Sequence, residues 1–527
     1  MKNLFLFAGI VLLCGCASDW TAFRGDTQRS GYQNDAGALS NPTRVRSMSP
    51  TPAWTFHPSG AQGFRASPIV FANKVLIGNG NGYFYAVDAQ HGNQLWQYPA
   101  PPNPALTSQF ICNPSSHGIA SSATVGFTSS HLLTPIVVFG APDQSIGTGL
   151  GEGRLFALNA NNGNEIWKSP VLAHISGLTP NSTSETHEQL GYSSPLLYND
   201  KLYIGIANHC DDPIQLGRIV SVDFASGSMN AGFTFVNGLR PGNTSPPGGD
   251  VWGSVAADQG ALFATTRNTA RWMEGEPVPD RALSLIRLDP SSGNVQWQHQ
   301  PVPYVLDADP DWSATPTVMH ASCGDLVVGT QKDGWTWAVG AAQTGGSHPN
   351  VRWVFPADNP SWINGFTTAD GTVHGDTDYT KPGAAWGDVY VTMDGGEDTV
   401  DNINIGFSQL HALNVCADDA HRIRWIATLP GGYLGPPVIT HGIVYVGTDS
   451  GHLVALADPS IAPAAGWICA KTSVSNAQCT ANGFSLVPQP ATLLDMVLDG
   501  GIYTEPVLSE KNLYVATDSG TLYMFDP

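Results

Sequence analysis

The chain is short of charge, and of positive charge above all. Charged residues make up 13% of its 527 positions, and 23 lysines and arginines face 43 acids, for a formal net charge of −20. So few cations argue against a nucleic-acid partner, whose affinity rests on neutralised phosphates. They argue equally against docking on an anionic surface. No Pro/Ser-rich linker or run of charge divides the sequence, so one large domain is expected instead of several. The N-terminal apolar run, Leu4 to Leu13, is too short to cross a bilayer. Cysteine is scarce, eight in all, and no Cys-x-x-Cys-His occurs, which excludes a covalently attached c-type haem.

What the chain does have is a repeated phrase. It reads Ala86-Val87-Asp88 through Gly92 to Trp96, then Ala157-Leu158-Asn159 through Gly163 to Trp167, then Arg287-Leu288-Asp289 through Gly293 to Trp297. Each copy is an alternating strand, an Asp or Asn, a turn closed by Gly, and a strand ending in Trp. A second phrase precedes it, a Ser-Pro or Thr-Pro opening and a β-rich run, as in Ser67-Pro68, Ser194-Pro195, Thr315-Pro316 and, as Glu-Pro, Glu505-Pro506. Joined, the phrases make three or four short antiparallel strands, and eight units can be counted. Their central strands fall near 75–78, 136–140, 202–205, 262–265, 326–329, 389–392, 443–447 and 513–516. Sheets this short are apolar on both faces and must bury them on one another, which a radial arrangement achieves. The expected fold is all-β, one eight-bladed propeller. Gly takes the positive φ of the turn. Trp96, Trp167, Trp297 and Trp425 are expected to lie flat between blades. Closure is expected near the termini, with residues 505–526 and the Trp20–Gly25 segment in or beside one blade. Inserts near 100–130, 170–190, 268–282, 356–385 and 457–503 read as face loops, where sites usually sit.

The Ala-x-Asp-x-x-x-Gly-x-x-x-Trp phrase resembles the tryptophan-docking motif of pyrroloquinoline quinone (PQQ) repeat propellers. Asp19-Trp20-Thr21-Ala22-Phe23-Arg24-Gly25-Asp26 resembles the opening of many such chains. Two groups share the motif: the quinoprotein alcohol dehydrogenases, and the lipoprotein that helps assemble outer-membrane β-barrels. For the dehydrogenases the resemblance implies PQQ on the propeller axis, chelated to Ca²⁺, stacked on a Trp and served by a catalytic Asp. The cofactor carries the redox chemistry and the protein supplies orientation and electrostatics, while Ca²⁺ requires converging hard oxygen ligands.

Each part has a candidate by resemblance. In the fourth unit, Gly249-Asp250-Val251-Trp252-Gly253 followed by Thr265-Thr266-Arg267-Asn268 implies Trp252 as cofactor floor and Asn268 as Ca²⁺ ligand. Arg267 stands where the family has Gly, and a cation there weakens metal binding unless it points to a PQQ carboxylate. In the third unit Asp212 and Asp211 are the available acidic ligands, in place of the family's longer Glu. In the fifth unit, Asp307-Ala308-Asp309-Pro310-Asp311 resembles the stretch with the general base, so Asp311 or Asp309 is implied to take the alcohol proton. Lys332, in Gln331-Lys332-Asp333-Gly334, is implied to polarise the quinone carbonyl. Arg65 is a candidate for a PQQ carboxylate, and Trp386, echoing Trp252, for the same face. A vicinal Cys-Cys pair, which caps PQQ in some members, is absent.

At the N-terminus, Leu13-Cys14-Gly15-Cys16 resembles a bacterial lipobox. It implies a signal peptide over 1–15, a lipid on Cys16 and a mature propeller over 16–527; the alternative is an ordinary signal cleaved near Ala17. Ala17, not Asp, implies by resemblance to enteric sorting the outer membrane, facing the periplasm. In that oxidising compartment the six other cysteines are expected in disulfides. Cys469 and Cys479 are the expected pair; Cys112, Cys210, Cys323 and Cys416 leave three pairings open. Three functions follow. The first is a lipid-anchored, PQQ- and Ca²⁺-dependent alcohol or polyol dehydrogenase passing electrons to a separate periplasmic acceptor. The second is a non-catalytic scaffold binding proteins through its loops, and the third a propeller that binds a small ligand without redox chemistry.

Overall fold

The structure is a computed structural model. It describes residues from 19 to 527 except 109–117, 129–133, 178–185, 191, 209–214, 236–247, 268–277, 279, 302–310, 313, 332–334, 343–347, 356–382, 386–387, 394–406, 471–475, 482–484 and 510. Every statement below concerns the described residues.

The repeated phrase folds as its chemistry dictates. Asp88 Oδ1 accepts from the backbone N–H groups of Gln90 and His91 at 2.9 and 2.8 Å, and Gly92 closes the turn at φ +73°. Asp223 and Asp289 cap their turns in the same way, and Asn159 accepts from Asn161. Such Asx turns hold a tight reversal that a β-branched residue would strain. The turns at Asp88, Asn159 and Asp289 join the third and fourth strands of their sheets, and the turn at Asp223 follows the last strand of a three-stranded sheet. Seven four-stranded sheets and one three-stranded sheet result, all antiparallel meanders, and they are the eight blades of a propeller. The second strands are Lys74–Gly78, Ile136–Asp143, Lys201–Ile206, Ala261–Thr265, Gly324–Thr330, Asp388–Met393, Ile443–Gly447 and Asn512–Ala516. They coincide with the eight central strands expected from the sequence.

Tryptophans on the outer strands join the blades. A Cβ placed on Gly163 would lie 2.7 Å from the Trp96 ring, and one on Gly227 2.4 Å from Trp167. The same relation puts Trp54, on the blade containing the C-terminus, against Gly92. Each ring covers the glycine turn of the next blade because only a residue without a side chain leaves room for it. Trp54, Trp167 and Trp353 also donate their indole N–H to a carbonyl of that next blade, on Ala89, Phe224 and Val415. Trp425 donates to the Asp458 carboxylate at 2.8 Å. Blade three lacks the Trp, and Phe233 stands beside Gly293 in its place.

A second bond explains the Ser-Pro opening. Ser67 Oγ accepts from Glu505 N, Ser122 Oγ from Ser67 N, Ser194 Oγ from Ser122 N, Ser254 Oγ from Ser194 N and Thr315 Oγ1 from Ser254 N. These distances run from 2.8 to 3.1 Å, so a hydroxyl belt links six blades ahead of their inner strands. The Ser or Thr supplies the acceptor; in blades one, three and five the following Pro68, Pro195 and Pro316 also withdraw a backbone donor, while Ser122 and Ser254 are followed by Ala123 and Val255.

The ring closes in the blade of residues 505–526, as expected, and its outer strand comes from the N-terminal side. Trp54–Phe56 pairs with Leu522–Phe525 as the outer strand of the last blade. The Trp20–Gly25 segment lies beside that blade, as expected, and the chain continues from it past other blades. Trp20 pairs with Val70 of blade one, Thr21 accepts from Val125 of blade two, Thr27 and Gln28 accept from Ala257 and Val318 of blades four and five, and Gly31 accepts from Ile439 of blade seven. Glu505 of blade eight anchors it: Oε1 accepts from Trp20 Nε1 at 3.1 Å and from Arg24 N at 3.0 Å, and Oε2 lies 3.5 Å from the Arg24 guanidinium. All three side chains are fully buried.

The expected Cys469–Cys479 disulfide is present, clipping the hairpin Gly466–Cys469 and Leu486–Gln489 inserted into blade seven. Cys323 pairs with Cys416 and ties blade five to blade six. Cys112 and Cys210 lie outside the described residues.

The docking contact makes a direct prediction. Gly163→Ala and Gly227→Ala combine a positive φ with a clash against Trp, and each is expected to cost about 3 kcal/mol. Gly60→Ala, at φ +68° with open space around it, carries the backbone term alone, about 1 kcal/mol. Urea unfolding that finds all three variants equal would refute the docking role of these glycines.

Candidate functional site

Inner strands start, and second strands end, at the same face of the propeller, because neighbouring strands are antiparallel. Asp250 and Trp252 lie just ahead of the inner strand Ala256–Asp258, and Asp311 ahead of the inner strand Thr317–Ala321. Arg267 follows the second strand Ala261–Thr265, and Asn208 follows Lys201–Ile206. Blades three, four and five therefore deliver these five residues to one junction. The Thr265 hydroxyl, donating to Ala314 O at 2.8 Å, and the Ser254–Thr315 belt bond hold the junction between blades four and five.

Arg267 is the centre of the group and is 4% exposed. Its Nε donates to Asp311 Oδ2 at 2.7 Å and lies 3.8 Å from Asp250 Oδ1. Its Nη1 donates to Asn208 O at 3.2 Å, and its backbone N–H to Asp250 O at 3.0 Å. The guanidinium carbon sits 4.5 Å from the Trp252 ring centroid, a cation–π contact. Asp250 Oδ2 accepts from Asn208 N at 2.7 Å. Asp311 and Asp250 are buried at 0% and 3%. Taking either partner from such a pair strands a charge away from water, at a cost of about 3–5 kcal/mol.

Trp252 is half-buried, with Tyr192 perpendicular to it at 5.3 Å. Its indole Nε1 is buried and has no hydrogen-bond partner. A buried donor without an acceptor is costly, and here it belongs to an aromatic face carrying a guanidinium. That combination suits a flat, anionic, oxygen-rich ligand, and PQQ has this chemistry. The described acids of the junction, Asp311 and Asp250, face Arg267, whereas the Ca²⁺ ligands implied by the resemblance, Asn268, Asp211 and Asp212, lie outside the described residues.

Of the residues singled out from sequence, Trp252 and Asp311 are brought together, joined through Arg267. Arg65 is elsewhere: its guanidinium lies 4.3 Å from the ring centroid of Tyr503, ahead of blade eight. Asp309, Lys332, Asn268, Asp211, Asp212, Trp386 and Cys16 lie outside the described residues. Several of their described neighbours belong to the junction: Asn208 ahead of Asp211, Arg267 ahead of Asn268 and Asp311 after Asp309. Sequence reasoning gave no role to Asp250, Asn208 or Tyr192. The signal for Asp250 was its place two residues before Trp252, within the same phrase.

His299, beside the junction, packs against Trp337 at 4.7 Å and Trp312 at 6.2 Å, and its Nε2 is buried without a partner. Burial, and then the charge of His348, lower its pKa to about 4. Burial lowers that of His411 to about 3.

A family model described as the glucose/ethanol/alcohol dehydrogenase β-propeller domain, the PQQ family, matches residues 20–345. The quinoprotein alcohol dehydrogenase PedH of Pseudomonas putida is 23% identical over 296 residues, covering 50% of this chain and 44% of that protein. A quinohemoprotein alcohol dehydrogenase of Comamonas testosteroni is 22% identical over 278 residues, covering 48% of this chain and 35% of that protein. The chain thus spans less than half the length of these curated relatives. Among solved structures, a europium-containing methanol dehydrogenase superposes with a TM-score of 0.67 at 15% identity, covering 97% of this chain and 98% of that one. At that identity the likeness establishes the fold alone.

The two histidines predict a pH dependence. Both bind their proton less readily folded than unfolded, so their contribution is complete above about pH 6.5 and is lost as pH falls toward 4 and 3. Each is expected to remove on the order of 3 kcal/mol of stability across that window. His299→Phe should flatten the decline in urea midpoint between pH 7 and pH 4.5. An unchanged decline would show that His299 is not buried neutral.

Proposed function

The chain belongs to the glucose/ethanol/alcohol dehydrogenase β-propeller family, and from that premise we propose that it is an oxidoreductase that binds PQQ and oxidises an alcohol or polyol. One observation carries the proposal: an aromatic floor, a buried cation and a buried carboxylate from blades four and five meet at one end of the propeller. PQQ, when bound, supplies the two-electron acceptor.

The residues divide the remaining work. Trp252 offers its ring and its unpartnered indole N–H to the ligand. Arg267 offers positive charge to a ligand carboxylate. Asp311, oriented through Oδ2 by Arg267, takes the substrate hydroxyl proton, with Asp309 as the neighbouring acid of the same segment. Lys332 is proposed to polarise the reactive carbonyl and Trp386 to complete the ligand's surroundings, while Arg65, over Tyr503 ahead of blade eight, takes no part. The resemblance also implies Ca²⁺ held by Asn268 with Asp211 or Asp212; the present proposal takes PQQ without it, for the reason developed in the next section.

A lipid on Cys16, an outer-membrane location facing the periplasm and a separate electron acceptor there belong to the same proposal. They rest on the resemblance of Leu13-Cys14-Gly15-Cys16 to a lipobox. Cys16→Ala is expected to move the protein from the membrane fraction to the soluble fraction, or to leave it unprocessed. Unchanged partitioning would overturn the anchor.

The test of the activity is reconstitution with PQQ, followed by absorption and dye-linked alcohol oxidation. A bound chromophore and turnover are expected. Asp311→Asn should reduce turnover about 100-fold or more while the chromophore remains, the range for losing a positioned base. Trp252→Ala should weaken PQQ binding about tenfold, from the lost aromatic contact. If no bound chromophore forms, the enzyme reading fails and the scaffold reading replaces it.

A further inference from the structure

A cation already stands between the acids of the junction. Arg267 reaches Asp311 at 2.7 Å and Asp250 at 3.8 Å, with its guanidinium over Trp252. These acids come from two segments, ahead of the inner strands of blades four and five, and both are buried. Buried carboxylates brought together from separate blades repel each other and need positive charge between them. A divalent ion could provide it, but a bound ion requires carboxylate and amide oxygens directed at one point. Here Asp311 Oδ2 and Asn208 O are directed at guanidinium nitrogens, and the Arg267 backbone is itself bonded to Asp250 O. A metal placed beside this group would meet a fixed positive charge within a few ångströms, and in a buried setting that repulsion amounts to several kcal/mol.

We infer that Arg267 is the resident cation of this site and excludes a divalent metal from the Asp250–Asp311 pair, so that the site takes its anionic ligand without calcium. The side chain does two things that a metal would otherwise do. It neutralises the acids, and it presents N–H donors to a carboxylate of the ligand. The donors are directional and always charged, which a flat polyanion matches well. Only the identity of the ligand rests on the proposed PQQ reading; the exclusion of metal concerns this chain's own residues.

The experiment is a terbium titration of the whole protein without PQQ, read by tryptophan-sensitised emission, with calcium as competitor. Terbium is a hard, calcium-like ion, and Trp252 lies beside the site. Wild type is expected to show no saturable site beyond the surface binding of an acidic protein. Arg267→Gly is expected to gain one calcium-displaceable site, at least tenfold tighter than any wild-type binding, and Arg267→Gly with Asp311→Asn to lose it. Arg267→Gln keeps the length of the side chain and serves as the second uncharged variant if glycine does not fold. Arg267→Lys, which keeps the charge, should behave as wild type.

A single site in wild type that Asp311→Asn abolishes would overturn the inference. So would folded Arg267→Gly or Arg267→Gln variants that gain nothing over the double variant. PQQ titrations in EDTA and in calcium separate the two readings. Equal affinity in both supports the inference, and affinity found only with calcium overturns it. Failure to bind PQQ in either buffer counts against the quinone reading alone, and the terbium titration then still decides the role of Arg267.

Discussion

A four-stranded sheet that is apolar on both faces cannot stand alone in water, and in this protein the contact that relieves it is a tryptophan lying on the glycine turn of the next blade. Trp54 on Gly92, Trp96 on Gly163 and Trp167 on Gly227 repeat the relation. A buried aromatic of this size covers about 200 Å², worth roughly 5 kcal/mol at 25 cal/mol/Å² before entropy is subtracted. The contact is directional because the turn must be glycine in the left-handed region and the next blade must supply the carbonyl that some of the indoles address. The hydroxyl belt from Glu505 to Thr315 does the same beside the axis. Outer edge and inner edge are therefore both registered from blade to blade.

That double registration gives the junction its geometry. Asp250, Trp252 and Asp311 occupy short segments that lead into belt residues Ser254 and Thr315. A segment tied to the belt has little freedom to move its side chains away from a neighbour's. The buried pair Arg267–Asp311 thus needs no rearrangement to form, and its desolvation is offset by hydrogen bonds to Asn208 and by the Trp252 face. The Arg24–Glu505 pair has a similar character where the N-terminal segment lies beside the last blade. In both, a guanidinium supplies the positive charge that lets a carboxylate be buried. The chain's overall excess of acid makes these few buried cations structurally important.

The architecture was legible because it repeats. Asp88, Gly92 and Trp96 do local work that any copy of the phrase must also do, so eight central strands could be placed from pattern alone. The path of residues 20–33 was legible only in part. The Trp20–Gly25 segment was expected beside the blade of residues 505–526, but its particular partner Glu505, 485 residues from Trp20, was set only by the closed ring. The strand Trp54–Phe56 was missed as the closing strand because it is three residues long and carries no complete copy of the phrase. The pairing of Cys323 with Cys416 likewise needed the adjacency of blades five and six; it closes a loop of 93 residues, which in the chain-entropy picture is worth about 4–5 kcal/mol.

Trp252 and Asp311 were named as candidates through the family resemblance; the sequence by itself determined the fold class, the number of blades and the docking tryptophans. Each of these follows from local periodicity or from a short phrase, whose physics acts over a few residues. Only the tertiary structure decided what joins Trp252 to Asp311. Arg267 read as a departure from pattern, and its partners lie 44, 17 and 59 residues away in the chain, at Asp311, Asp250 and Asn208. Electrostatic pairing depends on distance in space and on burial, and neither is written into any one segment; both arise when the blades close into a ring.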